Sequence, residues 1–247
     1  GTPSFSGAEL ENLLNESALI AVRREKDSVE MADIEEARDK VRWGRELKSR
    51  TVPVVDKRRT AYHEAGHALV TTLLTDVDPL HKVSIIPRGR AMGATLMLPK
   101  SDEFMLSRNK ILQIITSLLA GRTAEKLMLG DISTGAQNDI ERTTELARRM
   151  VCEWGMSDRL GPVNFTSESL VPGFEELGRT TNYSDRTAEI IDEEVNRIVT
   201  ECQDRCTNLI QDNRETLVAI AEKLIEKETL SARSEEHTSE LQSRQSI

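Results

Sequence analysis

A chain of 247 residues is long enough for one large domain or two small ones. Its net charge of -9, with no basic stripe and few interleaved aromatics, excludes nucleic-acid binding as a main role. Aromatics are only 3% of the chain, and its abundant Leu, Ile, Ala, Glu and Arg predict a mainly α fold.

Ser6-Gly7-Ala8-Glu9 has the capping-box pattern, Ser at the N-cap and Glu three residues on. It opens a helix with Leu10, Leu13, Leu14, Ala18 and Ala21 as its apolar face. A second helix is predicted from about Met31, through Ile34, Ala37, Val41 and Trp43, to Gly44. The two form one small unit. The polar stretch Arg45–Arg59, with Pro53, reads as a linker. A helix from about Lys57 to Leu74 follows, broken by Asp76–Pro79. His81–Pro87 and Ala94–Leu98 read as two strands around a turn at Arg88-Gly89-Arg90. Ser101 is predicted to cap a long helix with Ile111, Ile114, Ile115, Leu118 and Leu119 in its core stripe. Gly121 kinks or ends that helix, and Gly130 closes the segment.

Ser133-Thr134-Gly135-Ala136 is a turn into a helix from about Asn138 to Trp154. Gly155–Gly178 is irregular. Ser184 caps a long helix to about Gln211, and Asn213 caps another to about Glu228. Arg233–Ser243 is polar without a usable period and resembles the conceptual translation of a DNA-sequencing adapter. Residues 233–247 therefore read as a non-native tail, and His237 receives no role. The chain opens at Gly1 without Met and reads as a fragment. It shows no signal-peptide pattern and no apolar run of 18 residues. Three cysteines, Cys152, Cys202 and Cys206, form no framework and fit a reducing compartment.

His63-Glu64-Ala65-Gly66-His67 carries the chemistry. It fits H-E-x-x-H in a chain with only four His. On a helix, positions four apart share a face, so both imidazoles reach one metal ion. Glu64 projects about 100° round the helix, within reach of a water on that ion. Two His and a Glu can also sit on a solvated face without purpose. Here Ala61, Tyr62, Ala65, Ala68, Leu69, Val70, Leu73 and Leu74 flank the motif, and a buried helix needs a reason for such polarity. Gly66 costs about 1 kcal/mol against Ala in a helix and leaves space beside the metal face. A catalytic zinc takes three protein ligands and keeps one position open. Spacing alone leaves the third ligand open between Glu125 and Asp139, which follow His67 by 58 and 72 positions.

The chain resembles the proteolytic part of the FtsH family of membrane-bound AAA+ metalloproteases. The matching segments are Thr60–Ala68, Ile86-Pro87-Arg88-Gly89, Gly121-Arg122-Thr123-Ala124-Glu125, Ser133–Asp139 and Gly155-Met156-Ser157, in family order. The resemblance implies Asp139 as third zinc ligand, with Glu125 an acidic group behind a ligand or a helix-packing residue. It implies Glu64 as general base, taking a proton from the attacking water and passing it to the leaving amine. The Ala94–Leu98 strand is expected to border the site and to pair with extended substrate, or else to be an ordinary hairpin strand.

Gly1–Leu10 resembles the start of an AAA+ helical lid, which implies that Gly7 and Ala8 approach ATP. Yet the sequence contains no G-x-x-x-x-G-K-[ST], so no ATP hydrolysis by this chain is expected. The expected organisation is a partial lid over residues 1–49, a linker over 50–59 and a zinc peptidase domain over 60–232. In the intact protein the resemblance implies an ATP-dependent zinc endopeptidase that degrades misfolded or short-lived proteins. It would work as a homo- or hetero-hexamer anchored through absent segments to a bacterial or organellar membrane. Two other readings remain: a stand-alone H-E-x-x-H peptidase using Glu125, and an inactive scaffold relative.

Overall fold

The computed structural model describes residues 2, 5–44, 46, 52–88, 92–99, 105–166 and 183–231. Helices α1 (Gly7–Arg23) and α2 (Met31–Trp43) form the N-terminal pair. Ser6 makes the predicted capping box: its hydroxyl accepts from the Glu9 amide at 3.3 Å, and Glu9 accepts from the Ser6 amide at 2.7 Å. The buried stripe of α1 differs from the predicted one. It runs through Leu13, Ser17, Ile20 and Ala21, while Leu10, Leu14 and Ala18 are exposed. Ser17 enters the core because its hydroxyl donates to the Leu13 carbonyl at 2.7 Å.

Helix α3 (Val54–Leu73) carries the motif. It starts behind Pro53, so residues 54–59 belong to the helix and not to a linker. Proline suits a helix start because its missing N–H loses no intrahelical bond there. Every residue from Ala61 to Thr71 is buried, the mark of a central helix covered on all sides. Strands β1 (Leu80–Ser84) and β2 (Ala94–Met97) pair antiparallel, with Val83 opposite Thr95. A third strand, β3 (Thr229–Ser231), adds antiparallel to the other side of β1 and gives the order β2-β1-β3. Three residues hold too little alternation to be predicted.

Helix α4 (Arg108–Leu118) starts later than expected. Its cap is Ser107, whose hydroxyl accepts from the Lys110 amide at 3.1 Å, while Ser101 lies outside the described residues. The break before α5 (Ala120–Leu129) falls at Leu119, not Gly121. Gly130 closes α5 at φ 72°, a left-handed position that glycine takes without penalty. A 3-10 turn (Thr134–Ala136) leads into α6 (Gln137–Cys152). Helix α7 (Asp185–Asp212) is capped by Ser184, as predicted. Asn213 closes α7, donating to the Leu209 carbonyl at 2.9 Å, and does not cap α8 (Arg214–Lys227) with its side chain.

Three apolar clusters organise these elements. Ala61, Ala65, Ala68, Leu69, Ala120, Ala124, Leu217 and Leu224 join α3, α5 and α8. Ile111, Ile115, Met150, Ile191 and Ile198 join α4, α6 and the first half of α7. Helix α7 links the two, because Cys206 and Ile210 near its end enter the first cluster. The three cysteines are free and buried, and burial pushes the Cys206 thiol up to about 12. The third cluster, Leu13, Ile20 and Ala37, serves the α1/α2 pair. That pair meets β1 through charge: buried Asp39 accepts from Lys82 at 2.7 Å and lies 3.8 Å from Arg88. Among the described residues no helix is long and apolar enough to cross a membrane.

Candidate metal centre

The helical repeat of α3 sets His63 and His67 one turn apart. Their Nε2 atoms face each other at 3.1 Å, and each lies 3.3 Å from Asp139 Oδ2. Asp139 reaches them from the first turn of α6, where the 3-10 turn delivers the chain. Among the described residues, these three form the group of His, Cys, Asp and Glu able to hold a metal ion.

Each imidazole is oriented from behind. His63 Nδ1 lies 2.7 Å from Glu125 Oε1 on α5. His67 Nδ1 donates to the Ser117 carbonyl at 2.9 Å, in the last turn of α4, where helical carbonyls lack their usual partners. With Nδ1 protonated in both rings, two Nε2 lone pairs and a carboxylate point at one another with no donor among them. A cation answers that arrangement. Donor separations of 3.1–3.3 Å lie at or just below the edge, about 3.3–3.4 Å, of a tetrahedron with bonds of about 2.0–2.1 Å, and a set of two imidazoles and one carboxylate suits zinc.

Without a cation the charges lean on protons. Burial pushes the His63 pKa down, but its contacts with Asp139 and Glu125 push it up farther, to about 10. Burial also works against the Asp139 carboxylate, yet the two imidazoles hold its pKa well below the usual range.

Glu64 lies on the same helix, 6% exposed, and its Oε2 accepts from the Thr95 hydroxyl of β2 at 2.6 Å. Two glycines make room for the site. A Cβ on Gly121 would lie 2.5 Å from His63 Nε2 and 2.6 Å from His67 Nε2. A Cβ on Gly93 would lie 2.6 Å from Glu64 Oε1. Gly121 is thus a packing requirement of the imidazoles and not a helix stop. Gly66 also differs from expectation. The space it leaves is filled by α5, since a Cβ would lie 2.6 Å from the Ala120 carbonyl oxygen.

Of the residues singled out in the sequence, the fold brings together His63, Glu64, His67, Glu125 and Asp139. Glu125 stands behind His63, on the Nδ1 side. Gly7 and Ala8 sit exposed at the start of α1 and are not part of this cluster. Thr95, Ser117 and Gly93 escaped the sequence reading. A strand threonine or a carbonyl at a helix end carries no signal of its own.

Comparison with known sequences fits this geometry. The sequence model of peptidase family M41 matches residues 50–238, and that of the AAA+ lid domain matches residues 1–36. The chain is 48% identical, over 94% of its length, to ATP-dependent zinc metalloprotease FtsH 2 of Methylacidiphilum infernorum. It is 51% identical over 93% to FtsH 1 of a Thermoanaerobacter species, and 49% over 93% to FtsH of Thermotoga maritima, both likewise termed ATP-dependent zinc metalloproteases. It spans only 36–38% of the length of these three relatives. The matched stretch takes in α3, the glycines that pack against it and the carboxylates that face it, and on that ground the chain belongs to peptidase family M41.

Proposed function

We propose that this chain is the proteolytic part of an ATP-dependent zinc endopeptidase. The observation that carries the reading is the convergence of His63 Nε2, His67 Nε2 and Asp139 Oδ2 within 3.3 Å, beside the buried Glu64. These three side chains would hold the zinc. Glu125 supports His63 from the far side of its ring, which favours Asp139 over Glu125 as third ligand. Zinc at this place supplies Lewis acidity to a peptide carbonyl and to the attacking water. Glu64 takes the proton of that water on a carboxylate oxygen and returns it to the leaving nitrogen. Strand β2 has a neighbour on one side only, β1, among the described residues. Its outer edge is suited to receive an extended segment of substrate by main-chain pairing, which favours broad choice.

The chain divides into a partial AAA+ lid ending by residue 49, a joining segment that stops where α3 begins, a peptidase domain to about residue 232 and a non-native tail. Ser6, Gly7 and Ala8 would approach ATP in the intact protein. Its substrates would be misfolded or short-lived proteins. It would assemble as a hexamer and be anchored to a membrane through segments outside this chain.

The test is Glu64→Gln. The variant should keep its zinc, while hydrolysis of casein falls by about 10²–10⁴-fold, the usual cost of removing a general base. Casein cleavage near the wild-type rate would remove Glu64 from the mechanism.

A further inference from the structure

The carboxylate of Glu64 is held from strand β2 and not from its own helix. Thr95 Oγ1 donates to Glu64 Oε2 at 2.6 Å. Such a short bond from a hydroxyl to a carboxylate is charge-assisted and stronger than a neutral one. Gly93, just before β2, confines the same group from another direction: a Cβ there would lie 2.6 Å from Oε1 and 2.8 Å from Cγ. A glutamate has several rotatable bonds and would otherwise sample many positions. Thr95 itself is fixed by the sheet, opposite Val83.

We infer that Thr95 is a positioning residue for proteolysis: its hydroxyl engages Oε2 of Glu64 and leaves Oε1 to carry the proton in transit. The inference rests on the reading of Glu64 as general base. It also ties the base to the strand proposed to receive substrate, because Thr95 belongs to both. A peptide paired along β2 would then be registered against the group that activates the attacking water. Orientation of this kind acts on the chemical step more than on substrate binding.

The experiment compares wild type, T95V and T95S in the zinc-loaded chain, using a fluorogenic peptide, with zinc content measured beside it. Valine keeps the shape and strand preference of threonine but removes the donor. We expect T95V to lower kcat by about 10- to 100-fold, with KM changed by less than about threefold. Zinc content should stay at the wild-type level, and T95S should recover most of kcat. G93A is the second variant: it displaces the carboxylate without touching Thr95, and should likewise lower kcat and spare KM. Crystal structures of T95V and T95S supply a readout independent of turnover. Glu64 should leave its wild-type position in T95V and hold it in T95S. Wild-type kcat in T95V, or Glu64 unmoved there, would overturn the inference. If wild type and Glu64→Gln turn over alike, the reading of the base fails instead, and the crystal structures alone decide whether Thr95 sets the carboxylate's position.

Discussion

Helices α3 and α1 are opposite exceptions to the rule of apolar inside and polar outside. Helix α3 buries His63, Glu64 and His67, each 9% exposed or less, among alanines and leucines. Helix α1 leaves Leu14 63% exposed and Val22 71% exposed. Buried polarity and exposed apolar surface are the informative departures from ordinary packing. In α3 the two imidazoles converge with Asp139 on one point, so the departure fits a partner of known chemistry, a cation. In α1 the exposed side chains converge on nothing within the described residues. Sites are read from convergence, not from unusual burial alone.

The largest effect that can break this contrast is at Gly121. Alanine should strengthen α5 by about 1 kcal/mol on helix propensity. Its Cβ, however, would enter the space between the two imidazoles. Gly121→Ala should therefore lose nearly all bound zinc while circular dichroism still reports a helical protein. Full zinc loading would show that the convergence tolerates what the geometry forbids.

Gly66→Ala tests the seam without touching the donors. The new Cβ meets the Ala120 carbonyl at 2.6 Å and Ala124 Cβ at 2.7 Å, so α3 and α5 must separate. Overpacking of this kind should cost about 1–3 kcal/mol, read by urea unfolding. An unchanged midpoint would mean that the seam is looser than described.

The smallest effect belongs to α1. Leu14→Ser should change stability by no more than about 0.5 kcal/mol, as at other exposed sites. Leu13→Ala, in the small core of the α1/α2 pair, should cost clearly more. A larger loss at Leu14 would mean that this face is covered in solution, and the contrast between the helices would narrow.

Much of this was legible in the sequence because helical spacing is local information. The i, i+4 histidines, the Ser6 box and the Gly130 cap all follow from short-range rules. The mainly α fold followed from composition, and the order of the helices from their apolar stripes and caps. Two boundaries were local and still missed: α3 starts behind Pro53, and Ser107 caps α4. The rest of what escaped was set by tertiary contact. Gly121 and Gly66 were read as local punctuation or open space, whereas their neighbours lie on other helices. Thr95 and Ser117 became relevant only once β2 and α4 were folded against α3. The third donor was open on spacing alone, and the fold brings Asp139, not Glu125, to the Nε2 side of both rings.

His63, His67 and Asp139 are proposed to hold one zinc ion, with Glu125 standing behind a ligand. Metal analysis of wild type, Asp139→Ala and Glu125→Ala after dialysis against buffered zinc tests this most directly. About one zinc per wild-type chain is expected, and almost none in Asp139→Ala. Glu125→Ala should bind about 10- to 100-fold more weakly and still load at excess zinc. Full loading in Asp139→Ala with loss in Glu125→Ala would contradict the assignment.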